Sequence, residues 1–188
     1  LNGSLDVYRK TSSDLLSLTD IDPTTGWTSL TINNGKARNE GIELQLNGAI
    51  LKPKTDDGLG ISANFNIAYN KNKVVQVDHQ PTSGYEALTV RHAGDPVNSL
   101  YSYRYAGMVT DDSGTQAYSW YKKDGTVSTT PITSTEFSVD DVVFSGGLDP
   151  KVVASFRPEI TWRGFSLSAL FTFYGGHYMR ACMEDYTH

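Results

Sequence analysis

Val153-Ala154-Ser155-Phe156-Arg157-Pro158-Glu159-Ile160-Thr161-Trp162 runs through Arg163-Gly164 into Phe165-Ser166-Leu167-Ser168-Ala169-Leu170-Phe171-Thr172-Phe173-Tyr174, and this stretch decides the fold. Ala154, Phe156, Pro158, Ile160 and Trp162 alternate with Val153, Ser155, Arg157, Glu159 and Thr161. After the two-residue turn, Phe165, Leu167, Ala169, Phe171 and Phe173 alternate with Ser166, Ser168, Leu170, Thr172 and Tyr174. A period of two is the signature of a strand with one apolar face. Two strands joined by a tight turn predict an antiparallel hairpin.

The same pattern recurs upstream. Ile61, Ala63, Phe65, Ile67 and Tyr69 oppose Ser62, Asn64, Asn66, Ala68 and Asn70; Ile42, Leu44, Leu46, Gly48 and Ile50 oppose Glu43, Gln45, Asn47 and Ala49. A weaker case is Ser4 to Lys10, where Leu5 and Val7 oppose Asp6 and Tyr8. No stretch carries a sustained apolar pattern at helical spacing, and 17 glycines with 11 tyrosines suit strands and turns. Each strong stretch runs ~9–10 residues, longer than an ordinary soluble strand and matched to a tilted crossing of a bilayer. Tyr69, Trp162, Phe165 and Phe173 sit at the ends of the apolar faces, where interfacial aromatics belong. A soluble antiparallel sheet with one face on a core also alternates, so periodicity alone leaves both readings open. Pro158 suits neither, since it removes a ladder donor.

Connection lengths favour the membrane. Thr11 to Arg38 is long, Leu51 to Gly58 is short, roughly 80 residues follow Asn70, and Arg163-Gly164 is minimal. Long and short connections alternate, as in barrels with tight turns on one side and extended loops on the other. That parity places Ser99 to Gly107, itself strand-like, in the external loop region rather than in the membrane. The expected organisation is one all-β domain over 1–188, with strands near 4–10, 40–50, 60–72, 151–162 and 164–174 and long extracellular loops at 11–38 and 73–149.

The 188 residues carry 16 basic and 21 acidic side chains, a formal charge of −5, which argues against a nucleic-acid partner. One cysteine, Cys182, excludes an internal disulfide and a multi-cysteine zinc site and reads as a bystander thiol. The histidines His79, His92, His177 and His188 are isolated in sequence, and no catalytic motif is present. Asp56-Asp57-Gly58 and Asp111-Asp112-Ser113-Gly114 lack calcium-loop spacing and read as turns, as does Lys122-Lys123-Asp124-Gly125. Arg157 beside Glu159 is explained more simply by lumen-lining charge than by hydrolysis. No enzyme activity, metal or cofactor is expected. Among the loop aromatics, Trp27, Tyr85, Trp120 and Tyr121 are the candidate substrate-binding residues, since sugar C–H faces stack on such rings; packing within the loops or against a partner is the competing role.

Four local phrases, in order, are similar to one family. Gly35-Lys36-Ala37-Arg38-Asn39-Glu40-Gly41-Ile42-Glu43-Leu44 resembles a late barrel signature of TonB-dependent outer-membrane receptors. Asn64 to Val75 is similar to the following strand in the SusC/RagA branch, and Gly94-Asp95-Pro96-Val97-Asn98-Ser99-Leu100-Tyr101-Ser102-Tyr103-Arg104-Tyr105-Ala106-Gly107 resembles another segment of that branch. Asp149-Pro150-Lys151, Trp162 to Ala169 and Tyr174-Gly175-Gly176-His177 resemble its later hairpin. The resemblance spans about Leu1 to Arg180. It implies part of a 22-stranded barrel in the cell outer membrane, from a transporter of glycans, oligosaccharides or peptides that works with a SusD-like lipoprotein and is driven by TonB. The expected plug and TonB box are absent from this sequence, so the segment is expected to contribute wall and external loops. The alternative is a soluble β-sandwich carbohydrate-binding module.

Overall fold

The computed structural model describes residues 1–27, 29–55, 57–110, 114, 116–132 and 135–180. The expectations for Asp56, Asp111 to Ser113, Cys182 and His188 lie outside the described residues. The chain divides into two compact units. The first comprises residues 1–11, 38–72 and 149–177; the second comprises 12–37, 73–148 and 178–188.

Its strands are β1 (Asn2–Asp20), β2 (Ser29–Leu51), β3 (Gly60–Gln76), β4 (Ser99–Thr110), β5 (Gln116–Tyr121), β6 (Val127–Ser128), β7 (Val142–Gly147), β8 (Val152–Trp162), β9 (Phe165–Ser168) and β10 (Phe171–Gly175), with one short helix, α1 (Gly84–Ala87). One sheet has the order β1-β2-β3-β8-β10, with β9 also on β8. A second has the order β6-β5-β4-β7.

In the first unit the antiparallel register fixes which side chains share a face. Ile61, Ile160 and Leu167 stand in one row; Phe65, Phe156 and Phe171 in another; Ile67, Ala154 and Phe173 in a third. The Phe156 and Phe171 rings stack at 6.5 Å. The opposite face aligns Ser62 with Glu159 and Ser168, and Asn66 with Ser155 and Thr172, with Asn66 Nδ2 donating to Ser155 Oγ at 3.2 Å. Directly opposed residues lie on one face of a sheet, so apolar rows meet apolar rows across three strands. None of these row residues is buried: Phe171 is 60 % exposed and Leu167 73 %. A sandwich would bury one face of this sheet; here both faces stay open.

Pro158 explains why the last hairpin strand is interrupted. Its carbonyl accepts from Ala169 N–H at 3.3 Å, so its missing N–H faces the same strand. The ladder breaks at Ala169-Leu170, between β9 and β10, and resumes without a change of register. Strand 164–174 is therefore two strands. The turn at Arg163-Gly164 has φ of 48° and 80°, the pair of positive values that a two-residue type I′ hairpin requires. Gly41, within the Asn39-Glu40-Gly41-Ile42 phrase, has a steric role: an added Cβ would lie 2.5 Å from the Tyr8 ring and 2.8 Å from the Tyr69 carbonyl. The Tyr8 ring covers the bare backbone, a packing that pins neighbouring strands.

The second unit revises the expected loops. Residues 11–38 are mostly not loop: β1 continues to Asp20 and β2 starts at Ser29, so only a short connection separates them. Ser, Thr, Asn and Asp are interspersed there with Leu15, Leu16, Leu18, Leu30 and Ile32, and the only alternations, Leu16 with Leu18 and Leu30 with Ile32, are too short to announce a strand even though the backbones pair. The 73–149 region contains the whole second sheet, with β4 at its centre beside β7 and β5. Ser99 to Gly107 thus belongs to a different sheet from the bilayer-length rows. All buried apolar side chains among the described residues lie in this unit: Val74, Ala87, Tyr101, Tyr103 and Phe137. Tyr103 packs on Phe137 at 4.8 Å, and Gly84 lies so close to the Tyr103 hydroxyl and the Phe137 carbonyl that it leaves no room for a Cβ.

Candidate functional site

Three features of the second unit concentrate its chemistry. The first is built on His79, just beyond β3 and only 8 % exposed. Its Nδ1 meets Asp20 Oδ1 at 2.6 Å, at the end of β1, and its Nε2 meets Glu86 Oε1 at 2.8 Å, on α1. Glu86 is held in turn: its Oε2 accepts the Thr82 N–H at 2.7 Å and the Thr82 hydroxyl at 2.9 Å, while Ser83 Oγ caps the helix by accepting Glu86 N–H. The Asp20 hydrogen bond raises the His79 pKa above its ordinary value. The bond to His79 lowers Asp20, and the Thr82 N–H leads in lowering Glu86. His79, taken as isolated on the sequence, is thus a clasp joining three segments, and its two carboxylate partners favour the imidazolium form. Its carboxylates sit on opposite ring nitrogens and do not converge on a common ion, and no metal-binding group of three ligands occurs among the described residues.

Next to the clasp lies a half-open cavity of about 420 Å³. His79 and Tyr101 form part of its wall, with aliphatic side chains from β1, the segment after α1 and the residues flanking β4. Tyr101 is buried and donates to Asp95 Oδ2 at 2.8 Å; burial first, then that carboxylate, push its pKa up to about 12. His92 packs on Tyr101 at 4.3 Å with the two rings tilted by 37°, and bonds the Ala87 carbonyl through Nε2.

The third feature is the β4–β5 hairpin. Tyr105 opposes Trp120 in register and packs on it edge-to-face at 5.6 Å, with Tyr118 at 6.2 Å on the same face. Tyr121 points to the other face and carries Arg104 5.8 Å above its ring. Beyond this hairpin, Lys122 pairs with Glu136 at 2.5 Å, and that bond, with Thr130 and Ser128, holds Glu136 down to about 2.

The four aromatics singled out on sequence do not assemble. Trp27 stands 72 % exposed in the β1–β2 connection and Tyr85 is exposed on α1. Trp120 is half-buried against Tyr105, and Tyr121 lies on the opposite face of the same strand. No ring contact joins Trp27 or Tyr85 to the other two among the described residues. Arg157 and Glu159 are set in the polar rows opposite Asn64 and Ser62, and Glu159 accepts from Ser166 Oγ at 3.3 Å. His177 is exposed. Sequence reasoning missed the clasp and the cavity. Ser83-Gly84-Tyr85-Glu86 does carry a capping signature, which places Glu86, but Asp20 lies 59 residues from His79 with no local signal to link them.

No family model matches the chain. It is 30% identical over 115 residues to TonB-dependent receptor P39 of Formosa agariphila, covering 60% of this chain and 10% of that protein. It is 24% identical over 181 residues to TonB-dependent receptor P3 of the same organism, covering 89% of the chain and 18% of the relative. Among solved structures it is similar to the RagAB peptide importer. In the open-open state the TM-score is 0.68 at 24% identity, over 93% of this chain and 18% of that one. In the closed-closed state it is 0.65 at 26% identity, over 93% and 19%. The chain therefore spans less than a fifth of these relatives. In sequence and in its mostly antiparallel β fold the chain is similar to a segment of the TonB-dependent receptors. Within that class the similarity is to the SusC/RagA-like receptors, as the sequence phrases indicated.

Proposed function

We propose that the chain forms part of the wall and outer loops of a SusC-like, TonB-dependent outer-membrane transporter that imports peptides or oligosaccharides with a SusD-like lipoprotein, drawing its energy from TonB. The observation that carries this reading is the register-locked apolar face of the first unit. Phe65, Phe156 and Phe171 stand in one open row while Asn66, Ser155 and Thr172 line the reverse face. Exposed apolar surface this continuous is costly in water and favourable against hydrocarbon, with the polar side wetted by a lumen. The similarity to the RagAB peptide importer supports a peptide cargo, and the other relatives are TonB-dependent receptors. Trp27 and Tyr85 remain free to contact cargo or lipoprotein, whereas Trp120 builds the hairpin and Tyr121 sits under Arg104.

Single cysteines in the full-length protein, with Cys182 replaced by Ser, test the facing. In intact outer-membrane vesicles a water-soluble maleimide is expected to label positions 66, 155 and 172, and to reach 65, 156 and 171 only after detergent. Equal labelling of both sets would overturn the barrel-wall assignment.

A further inference from the structure

The cavity beside the His79 clasp holds one charge that nothing neutralises. Arg91 lines it, is exposed, and has no ion-pair or hydrogen-bond partner among the described residues. The anionic groups around it are already engaged: Asp20 and Glu86 on His79, and Asp95 on the Tyr101 hydroxyl. The remaining wall combines the aliphatic side chains of Leu18, Val77, Leu88, Val90, Val97 and Leu148 with the polar residues Ser17, Thr89, Asn98 and Ser99. Its volume of about 420 Å³ lies within the size range of small-ligand pockets.

Aliphatic wall residues beside a single guanidinium suit an apolar group next to an anion, with the polar wall residues left to meet the peptide backbone. We propose that this cavity is a subsite for the C-terminal end of a peptide whose last residue is apolar, the side chain seated on the aliphatic wall and the terminal carboxylate on Arg91. This rests on the importer reading and deepens it by choosing peptide over glycan. The one aromatic ring of the wall, Tyr101, is 5 % exposed and already covered by His92, so no stacking face is open to a sugar. A planar guanidinium meets a carboxylate with two parallel hydrogen bonds, which makes the free terminus the element of recognition.

The test uses the full-length protein in detergent and two probes, N-acetyl-Ala-Ala-Leu as the free acid and as the C-terminal amide, with binding followed calorimetrically. The acid is expected to bind about tenfold or more tightly than the amide, as befits a charge-assisted pair. Arg91→Gln should abolish that preference and Arg91→Lys should retain part of it. Leu88→Asn should weaken both probes; because Leu88 is only partly buried, retention of heat-modifiable mobility on gels verifies the fold of each variant. An acid-to-amide ratio unchanged by Arg91→Gln, absence of binding by both probes, or equal competition by maltotriose would overturn the subsite. If cysteine accessibility alternates as stated above while the probes fail, the subsite alone falls. If accessibility itself fails to alternate, the barrel-wall reading falls whatever the probes do.

Discussion

Phe171→Arg, set against its neighbour Thr172→Arg, puts a number on the facing of the strands. Phe171 is registered against Phe156 on β8. The 11 residues from Val152 to Trp162 extend ~34 Å at ~3.4 Å per step, which a tilt of ~40° turns into a height of ~26 Å. Phe156 lies four steps from one end and six from the other, so its row sits within ~3 Å of the middle of that height. An arginine facing lipid near the midplane costs roughly 2–4 kcal/mol. Losing the stack on Phe156 adds about 0.5–1.5 kcal/mol. The expected loss is about 3–5 kcal/mol, or two to three and a half powers of ten in the unfolding equilibrium. Thr172 shares the polar face with Ser155 and Asn66, so an arginine there stays hydrated and should change stability by no more than ~0.5 kcal/mol. The assay is guanidinium unfolding of the full-length protein refolded into lipid vesicles, read by gel mobility without heating. Equal losses at the two positions, or a larger loss at Thr172, would refute the assigned facing.

Gly41→Ala should destabilise the protein by about 1–3 kcal/mol, because its methyl meets the Tyr8 ring and the Tyr69 carbonyl; adding Tyr8→Ala should restore only part, since the backbone oxygen stays in place, and the same unfolding assay measures both. The His79 clasp should be pH-dependent in a defined direction. His79 is raised above its unfolded value of about 6.5, so its contribution is complete below that pH and is lost as pH rises through the folded pKa. Asp20 and Glu86 are lowered, so theirs is complete above about pH 4–4.5 and is lost as pH falls through their folded values. Amide exchange in residues 80–90, corrected for intrinsic rate, should be slowest near pH 5–6 and quicken toward alkaline pH, and His79→Gln should remove that dependence. A wild-type profile as flat as that of the variant would contradict the clasp.

How far the sequence is legible depends on which physical rule governs each segment. In the strands that pair as Phe65, Phe156 and Phe171, the rule is local: a sheet with one apolar and one polar face demands alternation residue by residue, and the observed register puts apolar opposite apolar without a slip. Even the break between β9 and β10 follows from one residue, the absent N–H of Pro158. The strand ends at 12–20 and 29–37 were not legible because their apolar residues, Leu15, Leu16, Leu18, Leu30 and Ile32, are exposed and alternate over no more than two positions, although the backbone pairs equally well.

The second unit obeys a different rule, and this is why its site escaped a linear reading. Its core joins Val74, Ala87, Tyr103 and Phe137, residues far apart in the chain, and its clasp joins Asp20 to His79 across 59 positions. Burial follows the same division: the unit containing 12–37 and 73–148 holds every buried apolar side chain among the described residues, and the other holds none. The first unit, with no buried apolar side chain among its described residues, has little hydrophobic stabilisation of its own in water. Its apolar rows gain that stabilisation only from an apolar medium, whereas the second unit carries a packed core of its own. The reliability of periodicity in the one and its silence in the other have the same cause: a solvent boundary acts on each residue where it stands, but a core must be assembled from distant ones.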